Sequence, residues 1–261
     1  MEPAAAYRRD LKQHAFVADP AQERAVDALQ SLFDQVNADY NRQASLLHRF
    51  KQLLAGADHK RLKGLYLWGD VGRGKTWLMN LFYDSLPFDD KLRLHFHHFM
   101  IAVHEKLAGL NMVRNPLEHI AREFAGKYRV LCLDEFIVTN ITDAMLLYGL
   151  LEALFKNGVT LVATSNRVPD DLYKNGLQRD RFVPAIKLIK EHTEVLHIDG
   201  DTDHRIALLE QENVYYSPIT PDTVNKLAER MQALAPGAIR RDLVLSIHKR
   251  PVTAYMHADE I

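Results

Sequence analysis

Cysteine is almost absent. Cys132 stands alone among 261 residues, so no intrachain disulfide can form. Long apolar runs are also missing, and none approaches the roughly 20 residues that a membrane-spanning helix needs. The opening MEPAAAYRRDLKQ lacks the apolar core of a secretory leader and the Arg- and Ser-rich pattern of a transit peptide. A cytoplasmic setting is therefore expected, with any membrane contact peripheral. An excess of one charge is lacking too. Lys and Arg number 33 against 34 Asp and Glu, a net charge of −1, so no global field draws the chain to nucleic acid or anionic lipid. Fixed-period repeats and low-complexity tracts are not found. The remaining composition, 47% hydrophobic and 26% charged, is that of a chain that folds around a core.

Apolar residues recur at helical spacing from Pro20 onward, at Ala25, Val26, Leu29, Leu32, Phe33 and Val36, with Asp19 placed to cap. Between Arg42 and Lys63 the chain turns basic, and Gly56 divides a helix from a loop there. A solvated face is the simplest reading of that charge. Short apolar runs then alternate with helical patterns: Leu65–Trp68, Leu92–Phe96, Val130–Leu133, Val159–Ala163 and Val195–Ile198. Stretches such as Thr76–Leu86 and Asp143–Phe155 intervene, ending near Pro87 and Gly158. The pattern predicts an α/β fold, a parallel sheet with helices on both faces. Beyond Asp199 it changes. Val224, Leu227, Met231 and Leu234 read as a helix, and Leu243, Leu245 and Ile247 as a strand that must find a partner. These shifts divide the chain into an amino-terminal helical segment and linker (1–63), a core (64–199) and a carboxy-terminal part (200–261).

Gly69-Asp70-Val71-Gly72-Arg73-Gly74-Lys75-Thr76 fits G-x-x-x-x-G-K-[ST] and lies between a predicted strand and a predicted helix. Glycines let such a loop turn its amides toward phosphate oxygens, and the dipole of the following helix favours the same anion. Gly69 through Trp77 are therefore expected to contact a nucleoside triphosphate. Lys75 would reach the β- and γ-phosphates, and the Thr76 hydroxyl would face Mg²⁺. The strand Val130–Leu133 ends in Asp134-Glu135. Strand ends of an open parallel sheet border its ligand crevice. Asp134 is expected on the metal and Glu135 on the attacking water. The next strand leads to Asn166, whose amide can bond a γ-phosphate and a water together. Arg179 and Arg181 follow, and a guanidinium supplied to a neighbouring subunit would make hydrolysis depend on assembly. His95, His97 and His98 invite a metal reading, with His95 and His97 expected on one face of a strand. No Cys, Asp or Glu accompanies them, and a metal site needs three or four arranged ligands. Cys132 sits within an apolar strand and reads as a small hydrophobe.

The strings LYLWGDVGRGKTWLMNLFYDSLP, LHFHHFMIAVHEKL, VLCLDEFIVTNITDAMLL, LVATSNRVPDDLYKNGLQRDRF and VLHIDGDTDHR resemble the AAA+ ATPase family of the cell-division ATPase ZapE and its mitochondrial relatives. The resemblance runs from about Gly64 to Arg205. It implies a five-stranded AAA+ P-loop core, Asn166 as sensor one, and Arg181 as arginine finger ahead of Arg179. It further implies ATP and Mg²⁺ as cofactors, nucleotide-dependent homo-oligomers, and contact with the tubulin-like division protein at the inner-membrane division site. Family members continue beyond the stretch corresponding to Leu243–Ile261, so a partial carboxy-terminal domain is expected, with Arg205 a weak candidate for sensor two. Two other readings stand beside this one: a nucleotide-gated scaffold with little turnover, and a DNA-remodelling ATPase, against which the near-zero charge counts.

Overall fold

Strands that are apolar on both faces belong in the middle of a parallel sheet, because helices cover both sides there. The computed structural model describes residues 1–14, 19–44, 62–110, 113–199, 220, 223, 239–247 and 250–258. In it β1 (Gly64–Trp68), β2 (Lys91–His95), β3 (Val130–Asp134), β4 (Thr160–Ser165) and β5 (Thr193–His197) form one parallel sheet in the order β2-β3-β4-β1-β5. β3 and β4 are buried throughout, whereas β2, at an edge, is partly exposed along its length. The five strands expected from the apolar runs are present, with bounds shifted by one or two residues.

Alternation along the strands sorts side chains into two cores. Tyr66, Leu131, Leu133, Leu161 and Ala163 face one side, against α4 (Phe96–Gly109), α5 (Pro116–Lys127), α6 (Ile141–Lys156) and α7 (Val183–His192). Leu65, Leu67, Val130, Cys132 and Val162 face the other, against α1 (Pro3–His14), α2 (Pro20–Ala44) and α3 (Lys75–Ser85). Leu78, Met79 and Phe82 of α3 are core, as their spacing predicts. Asp19 caps α2, accepting from the amide of Ala21 at 2.8 Å. Lys91 closes the far end of α3, donating to the carbonyls of Tyr83 and Leu86 at 2.8 and 2.9 Å.

One expectation fails here. His95 ends β2, but Phe96 already starts α4, so His97 is helical and the two histidines do not share a strand face. Among the described residues no group of three or more His, Cys, Asp or Glu could hold a metal ion.

The chain forms two compact units, residues 1–205 and 206–261. In the second, β6 (Ile239–Ile247) pairs antiparallel with β7 (Arg250–Ala258), which supplies the partner the lone strand required. Pro251 lies within β7, opposite Ser246. A strand with one partner tolerates proline, because a missing N–H can face away from that partner. The helix expected over 224–234 and Arg205 lie outside the described residues, as does most of the basic stretch, 45–61.

Candidate nucleotide site

Strand order and register bring the motifs to one edge. β4 lies between β1 and β3, with Trp68 level with Ser165 and Leu133 level with Ala163. The chain leaves β1 at Gly69, β3 at Glu135 and β4 at Asn166, all at the carboxyl edge of the sheet. The direction of strand progression reverses between β4 and β1, and open α/β sheets place ligands at such a switch point.

Gly69 starts the loop where no side chain fits. A Cβ there would lie 2.3 Å from the carbonyl oxygen of Ile198, and the Gly69 amide donates to Ser165 O at 3.2 Å. Gly74 has φ +78°, and a Cβ on it would meet Gln22 Nε2 at 2.9 Å. Both features make glycine the residue for these positions. Lys75 Nζ donates to the carbonyls of Gly69 and Asp70 at 2.7 and 2.6 Å, which holds the ammonium over the loop. Among the described residues Arg73 Nη1 is buried without a hydrogen-bond partner, an arrangement suited to an anion. Asp70, Val71 and Thr76 are exposed, and Gly72 has φ +87°.

The amino-terminal helices complete this region through residues that belong to no motif. Gln22 of α2 is buried and donates to Arg73 O at 3.2 Å. Trp77 turns its ring toward α1, packing at a tilt against Tyr7 at 5.3 Å between centroids and donating from Nε1 to Asp10 at 3.3 Å. The contacts of the Trp77 side chain thus lead to α1.

The two carboxylates at the end of β3 differ sharply. Asp134 is only 2% exposed. Its Oδ2 accepts from Arg93 Nε at 2.6 Å and its Oδ1 from the Thr164 hydroxyl at 3.2 Å. Glu135 is 72% exposed at its side chain and has φ +52°. A left-handed conformation costs a non-glycine residue of order 1 kcal/mol, so the surroundings must hold it. Its amide donates to Thr164 Oγ1 at 3.2 Å, while Phe136 N donates to Thr164 O at 2.7 Å and Phe136 is fully buried. Burying Phe136 forces the turn that presents Glu135. His95 Nδ1 lies 3.8 Å from its Oε2.

Asn166 is exposed beyond β4. The following turn is supported from below by the buried Tyr66, whose hydroxyl donates to Arg167 O at 2.9 Å. Burial pushes that phenol's pKa well above its ordinary value and keeps it a neutral donor. Arg179 and Arg181 bracket a short 3₁₀ turn before α7. Arg179 is tied down, donating from Nη2 to Asp170 O at 2.5 Å with Nε buried. Arg181 is exposed and makes no side-chain hydrogen bond or ion pair among the described residues. Cys132 is fully buried, and burial pushes its thiol pKa far up, so it packs rather than reacts.

The residues that sequence analysis missed, Gln22, Thr164 and above all Arg93, carry no motif signature. Arg93 stands in an edge strand reading Lys-Leu-Arg-Leu-His, which looks like ordinary edge charge.

A family model for AFG1-like ATPases matches residues 1–261. Cell division protein ZapE of Escherichia coli K12 is 44% identical over 256 residues, covering 96% of this chain and 68% of that protein. Lactation elevated protein 1 homolog B of Danio rerio is 39% identical over 205 residues, covering 73% of this chain and 41% of the relative. Among solved structures, AMPPCP-bound DnaA from Aquifex aeolicus aligns with a TM-score of 0.47 at 15% identity, over 82% of this chain and 58% of that one. The resemblance carried by the motif strings is borne out. A family match over the full length, with a phosphate loop at the switch point of a five-stranded parallel sheet, means that this chain belongs to the AFG1-like ATPases and is itself an ATPase.

Proposed function

We propose that this chain hydrolyses ATP with Mg²⁺ and couples its nucleotide state to a protein partner in bacterial cell division. The observation that carries the chemical part is the convergence of Lys75 and the Asp134-Glu135 pair at one sheet edge through the β1-β4-β3 register. In this reading the amides of Gly69 to Gly74 and the main chain at Thr76 and Trp77 cradle the phosphates. Lys75 leaves the loop carbonyls for the β- and γ-phosphates.

One carboxylate and one hydroxyl suit Mg²⁺, which keeps several waters and is usually held by one or two carboxylates plus substrate phosphates. Asp134 and Thr76 would hold it. Bound there, the ion neutralises charge on the phosphate oxygens. Glu135, exposed and held in a left-handed turn, accepts a hydrogen bond from the attacking water and aligns it. Asn166 bonds the γ-phosphate and the same water. Arg181, exposed and without a side-chain partner among the described residues, reaches the active site of a neighbouring copy, and the anchored Arg179 is second choice.

Similarity to ZapE supports the division role, with the tubulin-like division protein as partner and the cytoplasmic face of the division site as location. Among the described residues no helix is long and apolar enough to cross a membrane. Phosphate release by the purified chain tests the reading. Release is expected to require Mg²⁺, to rise more than linearly with protein concentration as copies associate, and to fall by about 10³ or more in Arg181→Ala with ATP binding retained. Undiminished release by Arg181→Ala would remove the arginine from catalysis. ATP binding with negligible release from the wild type, with and without the division protein, would favour a scaffold instead.

A further inference from the structure

The two residues assigned above to the metal come from different elements, Thr76 from the first turn of α3 and Asp134 from the end of β3. Neither motif determines how far apart they stand. Arg93, from edge strand β2, touches both elements. Its Nε donates to Oδ2 of Asp134 at 2.6 Å, and its Nη1 donates to Oδ1 of Asn80. Asn80 lies four residues after Thr76, one turn along the same face of α3.

We propose that Arg93 is a positioning residue of the metal site, a brace that holds the Thr76 helix and Asp134 at the spacing the ion requires. The inference rests on the Mg²⁺ reading above. A guanidinium suits the task because it is planar and always charged, and its donors point in fixed directions to two acceptors at once. It also leaves room for the ion's water shell. A carboxylate offers about four acceptor sites, of which Arg93 and Thr164 occupy one each.

A simpler role would be counter-ion, since a carboxylate buried as deeply as Asp134 needs a paired charge. The two roles predict opposite signs. Removing a mere counter-ion leaves Asp134 more negative and tightens Mg²⁺, whereas removing a brace loosens it.

The experiment titrates MgCl₂ into the full chain with a fluorescent, non-cleavable ATP analogue and reads the half-saturating Mg²⁺ concentration. Thermal melts and metal-free analogue affinity serve as folding controls. Arg93→Gln is expected to raise the half-saturation about tenfold, the low end of what losing an outer partner of a metal ligand costs. Asn80→Ala keeps the ion pair and loses one foot of the brace, so it is expected to raise the value by a smaller factor. An unchanged or lowered value in Arg93→Gln overturns the proposal. So does a raised value there with none in Asn80→Ala, because the contact with α3 then carries nothing. If Arg93→Gln does not fold, Arg93→Lys decides together with Asn80→Ala: lysine retains the charge without the fork and should also raise the half-saturation, and wild-type values in both overturn the brace. A wild type whose analogue binding ignores Mg²⁺ overturns the metal reading itself, and the brace with it.

Discussion

The phosphate loop, residues 69–74, and the carboxylates at the end of β3 lie at the same edge of the sheet but are made differently. The loop is built from backbone. Its glycines stand where a Cβ would strike Ile198 O or Gln22, or where φ is positive, and its exposed side chains at Asp70 and Val71 are incidental to its shape. The carboxylate pair is built from side chains supplied by other elements. Arg93 of β2 and Thr164 of β4 grip Asp134, and the same Thr164 accepts the amide of Glu135. The contrast teaches that anion binding can be written into a few consecutive residues, whereas orienting a carboxylate requires the assembled sheet.

Three substitutions would break or sharpen this contrast. Glu135→Gln has the largest expected effect. In the proposed role it replaces the charged carboxylate that accepts from the attacking water with a weaker, neutral amide acceptor, and should cut single-turnover hydrolysis by about 10²–10⁴ while ATP still binds. Native cleavage rates in rapid-quench assays would take the water-orienting role from Glu135. Lys75→Ala should act on the other region in the other way, lowering ATP affinity by about 10- to 100-fold, the usual worth of a hydrogen bond to a charged group. Calorimetry with unchanged affinity would place the triphosphate elsewhere. Gly69→Ala is the mildest. Its methyl would meet Ile198 O at 2.3 Å, so chemical denaturation should show a loss of about 1–3 kcal/mol. No loss would mean that the loop entry has slack the contact geometry does not suggest.

Within the carboxylate pair the neighbours diverge as well. Asp134 is buried and gripped, whereas Glu135 is exposed and free to reach a ligand. Adjacent strand residues point to opposite faces, but that alone does not separate them so far. The left-handed turn at Glu135, enforced by the burial of Phe136, makes the difference. Adjacency in sequence gives the two carboxylates no difference in exposure, and packing supplies it.

Much of the fold was legible because its signals are local. Strands β1, β3 and β4 are short continuous apolar runs, and α2, α3 and α6 carry leucine stripes with a cap or a proline nearby. The helix α1 left a weak trace, since its inward face rests on Ala6 and Tyr7 in a segment crowded with charge. The break between β2 and α4 was missed because Phe96 suits either element and no turn residue separates them. Spacing alone did not separate the two arginines after β4, and only the family resemblance ranked Arg181 ahead of Arg179. Only packing tethers Arg179 to Asp170 O and leaves Arg181 facing outward.

The amino-acid order by itself determined the phosphate loop, the carboxylates that accompany it and the alternating strands that make a parallel sheet. Each depends on backbone preference and side-chain periodicity over a few neighbouring residues. Strand order, the clasp of Gln22 on the loop and the grip of Arg93 on Asp134 were decided by tertiary structure alone. Those contacts join residues 41 to 51 positions apart, and they exist only once burial of two apolar faces has brought the strands and helices together.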